Sequence, residues 1–137
     1  MHKTKQKEYC ILVVEDEVPI LNVIEKKLKG KNFKVLTVRT VKEAMDYVEQ
    51  GQEINVVWLD HYLFGKENGL DFIVKFKKDY SKLKKVPVFV VSNTATDETV
   101  KDYMEYGAEK YYVKADCRLE QIVEDIENCL ENRNLKK

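Results

Sequence analysis

The sequence predicts an α/β fold of the (βα)5 kind, with five parallel strands in one doubly wound sheet and helices over both faces. Short, almost unbroken apolar runs suit strands buried on both sides. These runs alternate with segments whose apolar residues recur at helical spacing. Glycines stand where three of the helical segments should stop.

In chain order, the first strand is "CILVV" (10–14). A helix follows, with Ile20, Leu21, Ile24 and Leu28 on one face, Pro19 in its first turn and Gly30 at its end. "FKVLTV" (33–38) alternates in part, which suits an edge strand. Thr40 and Glu43 form a capping box ahead of Val41, Ala44, Met45 and Val48, and Gly51 closes that helix. "VVWL" (56–59) is the third strand, followed by a helix marked by Leu70, Ile73 and Val74. "VPVFVV" (86–91) precedes Val100, Tyr103 and Met104, with Gly107 after them. "YYV" (111–113) precedes the long stripe of Leu119, Ile122, Val123, Ile126 and Leu130. No linker or repeat interrupts the series, so right-handed crossovers are expected. Ligands in such sheets bind outside the carboxyl ends of the strands.

A chain of 137 residues is long enough to bury one core without staples. Its 24 basic and 24 acidic residues cancel, so it lacks the positive surface of a nucleic-acid binder. No apolar run approaches the roughly 18 residues of a membrane span. The start, "MHKTKQKEY", has no apolar stretch suited to a signal peptide. Cys10, Cys117 and Cys129 lack metal-ligand spacing; Cys10 and Cys129 fall on apolar patterns and read as small core residues. A reduced, cytoplasmic setting is expected.

The strand ends carry the chemistry. Glu15, Asp16 and Glu17 follow the first strand, Asp60 the third, Ser92, Asn93 and Thr94 the fourth, and Lys114 the fifth. Singly, such residues are usually turn or cap residues. Jointly, the fold brings carboxylates, a hydroxyl and an ammonium to one rim. The carboxylates repel one another unless a cation sits among them, and hard oxygen ligands suit Mg²⁺. The lysine and serine then suit phosphoryl oxygens, and a carboxylate so placed is a plausible nucleophile for phosphorus.

At these residues the sequence resembles the receiver domains of two-component response regulators, over about residues 9–132, with 1–8 an extension and 133–137 a tail. "ILVVEDEVPI" resembles the receiver's first strand and acidic pair, which puts Glu15 and Asp16 at metal positions. "VVWLDHYLFGKENGL" resembles the acceptor segment, with Asp60 as phosphoacceptor and Asn68-Gly69 in its loop. "VPVFVVSNTA" contributes the switch hydroxyl Ser92, and "GAEKYYVKAD" the switch aromatic Tyr111 and the phosphate-binding Lys114. The resemblance implies a flavodoxin-like sheet of order 2-1-3-4-5. It implies Mg²⁺ on Asp16, Asp60 and the backbone carbonyl of Tyr62, with Glu15 nearby. The implied donor is a sensor histidine kinase or histidine phosphotransfer protein. The implied output is a downstream protein on the face of helix 4, strand 5 and helix 5, with a phosphorylation-dependent homodimer among the outcomes. Such a domain is a signalling module and not an enzyme in the ordinary sense.

Three positions depart from the family pattern. Ala115 stands where a proline with a cis bond is common, so either a trans bond with a rearranged loop or stored strain is expected. Phe64 stands where proline is frequent, and Glu15 replaces aspartate. Tyr62 and Asn93 flank the expected pocket and should together slow the attacking water. His61 has no second ligand at metal spacing and reads as a loop residue. Lys75, Lys77, Lys78, Lys82, Lys84 and Lys85 read as a solvated face. An aspartyl phosphatase would resemble a DxD after the first strand, but Val18 stands there. An FMN binder would not place three acids at its phosphate loop. The remaining alternative is a receiver-like interaction module independent of phosphorylation. The ending "ENRNLKK" fits a stand-alone receiver as well as an excised one.

Overall fold

The computed structural model describes residues 8–63, 65–79 and 83–135. Strands and helices alternate as β1 (Cys10–Val14), α1 (Val18–Gly30), β2 (Lys34–Val38), α2 (Val41–Glu49), β3 (Val56–Leu59), α3 (Gly69–Asp79), β4 (Val88–Ser92), α4 (Asp97–Glu105), β5 (Lys110–Val113) and α5 (Leu119–Leu135). A 3₁₀ turn over Lys114–Asp116 joins β5 to α5. Every pairing is parallel, in the order β2-β1-β3-β4-β5.

The strand period of two explains the unbroken apolar runs. Alternate residues face opposite sides of the sheet, and helices cover both. Leu12, Val14, Val57, Leu59, Val88 and Val90 pack in one layer with Ala44, Phe72, Ile73, Phe76 and Tyr103. Ile11, Val13, Trp58, Phe89 and Val91 pack in the other with Leu21, Ile24, Leu28, Ile122 and Ile126. Each large side chain so buried contributes about 1.5–3 kcal/mol before entropy is subtracted. β2 is an edge strand as expected, exposed at Lys34 and fully buried only at Val38.

The helix signals act as expected at α2, where the Thr40 hydroxyl accepts from the Glu43 amide at 3.1 Å. Pro19 lies in the first turn of α1. Gly51 and Gly107 take left-handed φ values of 76° and 96° just past α2 and α4. Gly30 does not stop its helix this way. It is the last residue of α1, and the left-handed residue is Asn32, at φ 69°. Asparagine tolerates that region because its short polar side chain can bond locally. The lysine cluster is also not all solvated face. Lys77 donates to the carbonyls of Lys84 and Val86 at 2.9 and 2.5 Å, which holds the approach to β4. Phe64 and Lys82 lie outside the described residues. Among the described residues, no helix is long and apolar enough to cross a membrane.

Candidate functional site

The carboxyl ends of β1, β3, β4 and β5 share one edge because all four strands run parallel; β1 and β3 end at the Val14–Leu59 pair opposite Val90, and β4 and β5 run on to the Ser92–Val113 pair. Asp60 donates its amide to the Val14 carbonyl at 2.9 Å, so the chain after β3 lies beside the chain after β1. Glu15 is fully buried and Asp60 is 2% exposed. Asp16 is half-buried, and its carbonyl accepts from Arg39 Nε at 2.9 Å. Carboxylate oxygens of Glu15, Asp16 and Asp60 all lie within 4.8 Å of one another.

Lys114, the first residue after β5, answers this charge. Its Nζ donates to Glu15 Oε1 at 2.8 Å and to Asp60 Oδ2 at 3.4 Å. Burial pushes the carboxyl groups of Glu15, Asp16 and Asp60 above the ordinary range, and Lys114 offsets only part of it. Burial also opposes the Lys114 ammonium, but the two carboxylates outweigh it and raise its pKa. The Lys114–Ala115 bond is trans, since the described residues contain no cis peptide. The chain turns there through the 3₁₀ segment, and the ammonium still reaches Asp60. Of the two outcomes expected at Ala115, the structure shows the trans bond with its own loop.

Ser92 ends β4, is fully buried, and its Oγ finds no hydrogen-bond partner among the described residues. A buried hydroxyl without a partner is uncommon and asks for an explanation. Tyr111 donates its hydroxyl to the Thr94 carbonyl at 2.6 Å. Tyr62, 52% exposed, lies at the mouth, with its hydroxyl 3.0 Å from Thr94 Oγ1. Asn93, expected to act with Tyr62, is exposed, and Thr94 is the residue that meets it.

Two residues carry more than their sequence suggested. His61 is half-buried, with Nδ1 2.6 Å from the hydroxyl of Tyr103, itself fully buried on α4. In the sequence Tyr103 is one more apolar position in a helix stripe. The available signal was its hydroxyl, since a tyrosine on a core stripe needs a polar partner. Gly69 opens α3 pressed against the loop after β3, and its amide donates to the His61 carbonyl at 2.9 Å. A Cβ there would stand 2.6 Å from the Asp60 carbonyl oxygen.

This sheet with its acidic rim and lysine defines a receiver-type signalling domain. A family model described as the response regulator receiver domain matches residues 11–127, and the chain belongs to that family. The two-component response regulator ORR3 of rice (Oryza sativa subsp. indica) is 26% identical over 104 residues, which is 76% of this chain and 78% of that protein. A CheY-like receiver domain protein from Methanospirillum hungatei JF-1 superposes with a TM-score of 0.84 at 21% identity, over 96% of this chain and all of that one. The phosphorylated cyanobacterial phytochrome response regulator RcpA gives 0.75 at 24% identity, over 91% and 93%. These likenesses extend to the strand order, which is that of CheY-like proteins.

Proposed function

We propose that this receiver, spanning residues 9–132, takes a phosphoryl group on Asp60 and passes the event to protein partners as a change of shape. The observation that carries the reading is the pairing of three carboxylates within 4.8 Å with a single lysine that bridges the two buried ones. The bridging ammonium alone does not balance three clustered carboxylates, and an all-oxygen donor set suits Mg²⁺. Asp16, Asp60 and the Tyr62 carbonyl would hold the ion, with Glu15 beside them. When bound, Mg²⁺ neutralises charge on the transferring phosphoryl oxygens.

Asp60 supplies an oxygen nucleophile. Its carboxylate oxygen bonds to phosphorus as the phosphorus–nitrogen bond of a phosphohistidine donor breaks, and the leaving imidazole takes up a proton. The donor is a sensor histidine kinase or a phosphotransfer protein. Lys114, 3.4 Å from Asp60, is placed to bind a phosphoryl oxygen, and the unpartnered Ser92 hydroxyl is free to donate to another. Tyr111 would then leave the Thr94 carbonyl and alter the face formed by α4, β5 and α5. A few kcal/mol of new local bonding suffices to bias such a two-state element. A downstream protein, or a second copy of the chain, reads that face.

The test distinguishes Asp60 from its neighbour His61. Protein labelled from acetyl phosphate with Mg²⁺ should lose its label in alkali, as an acyl phosphate does. A label that survives alkali and is lost in acid marks phosphohistidine and overturns the assignment.

Tyr62, whose amide donates to Asp60 Oδ1 at 3.4 Å, and Asn93, which follows Ser92, would hinder the attacking water, with Thr94 holding the Tyr62 hydroxyl. Tyr62→Ala is expected to hydrolyse its acyl phosphate about three- to tenfold faster, the equivalent of one hydrogen bond at the barrier. Phosphate release from purified phosphoprotein measures this, and an equal or slower rate removes the shielding role.

A further inference from the structure

The Tyr103 hydroxyl belongs to none of the roles assigned so far, yet it is buried against the residue that follows the acceptor. His61 is pinned at several points. Its carbonyl accepts from the Gly69 amide at 2.9 Å, and the preceding residue, Asp60, is held to β1 through the Val14 carbonyl. Its ring nitrogen Nδ1 meets the Tyr103 hydroxyl at 2.6 Å. The next residue, Tyr62, donates its amide to Asp60 Oδ1 at 3.4 Å and sets its ring edge-on to His61, with centroids 4.8 Å apart. The contacts continue into a closed circuit. Tyr103 packs on Tyr111 at 5.7 Å, Tyr111 donates to the Thr94 carbonyl, and Thr94 Oγ1 meets the Tyr62 hydroxyl.

We infer that Tyr103 is a positioning residue for the acceptor site: through His61 it holds the peptide between Asp60 and Tyr62, and so ties the cation site to α4. The inference rests on the receiver reading above. Two features argue against mere core filling. An apolar ring would fill the same volume without needing a partner, whereas burying a tyrosine hydroxyl is costly unless it is bonded. In addition, the partner lies 42 residues away on the acceptor loop itself, not elsewhere in the core. The tie also gives α4 a route to the acceptor that bypasses Ser92. By linkage, a partner that binds α4 in this arrangement and the ion would each strengthen the other's binding by one common factor.

The protein, Tyr103→Phe, His61→Leu, the double variant and His61→Asn are compared for Mg²⁺ affinity by calorimetry, for phosphorylation rate with acetyl phosphate, and for melting temperature. Tyr103→Phe and His61→Leu should each weaken Mg²⁺ binding about three- to tenfold, the worth of one hydrogen bond. The double variant should be no weaker than the worse single, because both remove the same bond. His61→Asn, which keeps a polar atom near the place of Nδ1, should recover much of the affinity. Wild-type affinity in Tyr103→Phe, or losses that simply add in the double variant, would overturn the inference, as would a lower melting temperature with unchanged affinity. Failure of the unaltered protein to bind Mg²⁺ or accept phosphoryl would instead overturn the receiver reading, and this inference with it.

Discussion

Replacing Lys114 by methionine is expected to cost about 3–5 kcal/mol in metal-free buffer near neutral pH, because it leaves buried carboxylates without their counter-charge. For a chain of this size the melting temperature should fall by roughly 10–20 °C. The loss has a definite pH dependence. Glu15 and Asp60 titrate above the ordinary carboxylate range in the fold, first because they are buried. Between the unfolded and folded values the native state therefore holds protons that the unfolded chain has released. Stability falls as pH rises through that window. Without Lys114 the folded values rise further, so the deficit against the native protein should be large at about pH 8 and shrink toward about pH 5. The lysine itself, raised above its ordinary value, stays charged across that range and adds no slope. Adding Mg²⁺ should restore part of the loss, since it supplies charge to the same oxygens. Asp60→Asn should do likewise in the double variant. Thermal melts at both pH values decide the matter, and an identical deficit at each would show that charge is not the cause.

Gly69→Ala is expected to strike both stability and phosphorylation. The new methyl would stand 2.5 Å from the Tyr103 hydroxyl, 2.6 Å from the Asp60 carbonyl oxygen and 3.1 Å from His61 Cα. Two of these atoms are backbone and cannot swing aside, so the loop carrying Asp60 or the start of α3 must shift. Overpacking of this kind costs about 1–3 kcal/mol. Here it also moves Asp60, the proposed nucleophile, and misplacement by about 1 Å can slow a reaction by about a hundredfold. Gly30→Ala is the control. Nothing lies within 4 Å of its Cβ position, and it closes α1, where alanine is the better helix former. It should leave phosphorylation unchanged and stability equal or higher. A Gly69→Ala protein that melts and phosphorylates like the native one would show that the close approach is dispensable.

The architecture was legible because burial on both faces turns each inner strand into a plain apolar run, and each helix shows one stripe. The rim was legible for a topological reason: in a parallel sheet, the residues after the strands meet, whatever the loops do. Glu15, Asp60, Ser92 and Lys114 could thus be grouped before any distance was known. Interactions that depend on how loops and helices pack were not legible. The Thr94 link to Tyr62 and the His61–Tyr103 bond join residues 32 and 42 positions apart, with no spacing to announce them. Lys77 looked like surface charge because its carbonyl partners carry no side-chain signature. Asn32 took the left-handed turn expected of Gly30, since either residue tolerates it and the sequence does not say where the last turn ends.

The proposed signalling rests on Asp60 accepting a phosphoryl group. The most direct measurement is the intact mass of the purified protein after incubation with Mg²⁺ and acetyl phosphate, beside Asp60→Asn. One added phosphoryl group is expected on the native protein and none on the variant. An equal addition to both would place the acceptor elsewhere. No addition to the native protein, with Mg²⁺ bound and a phosphohistidine donor also supplied, would rule out Asp60 as an acceptor and favour a module that works without phosphorylation.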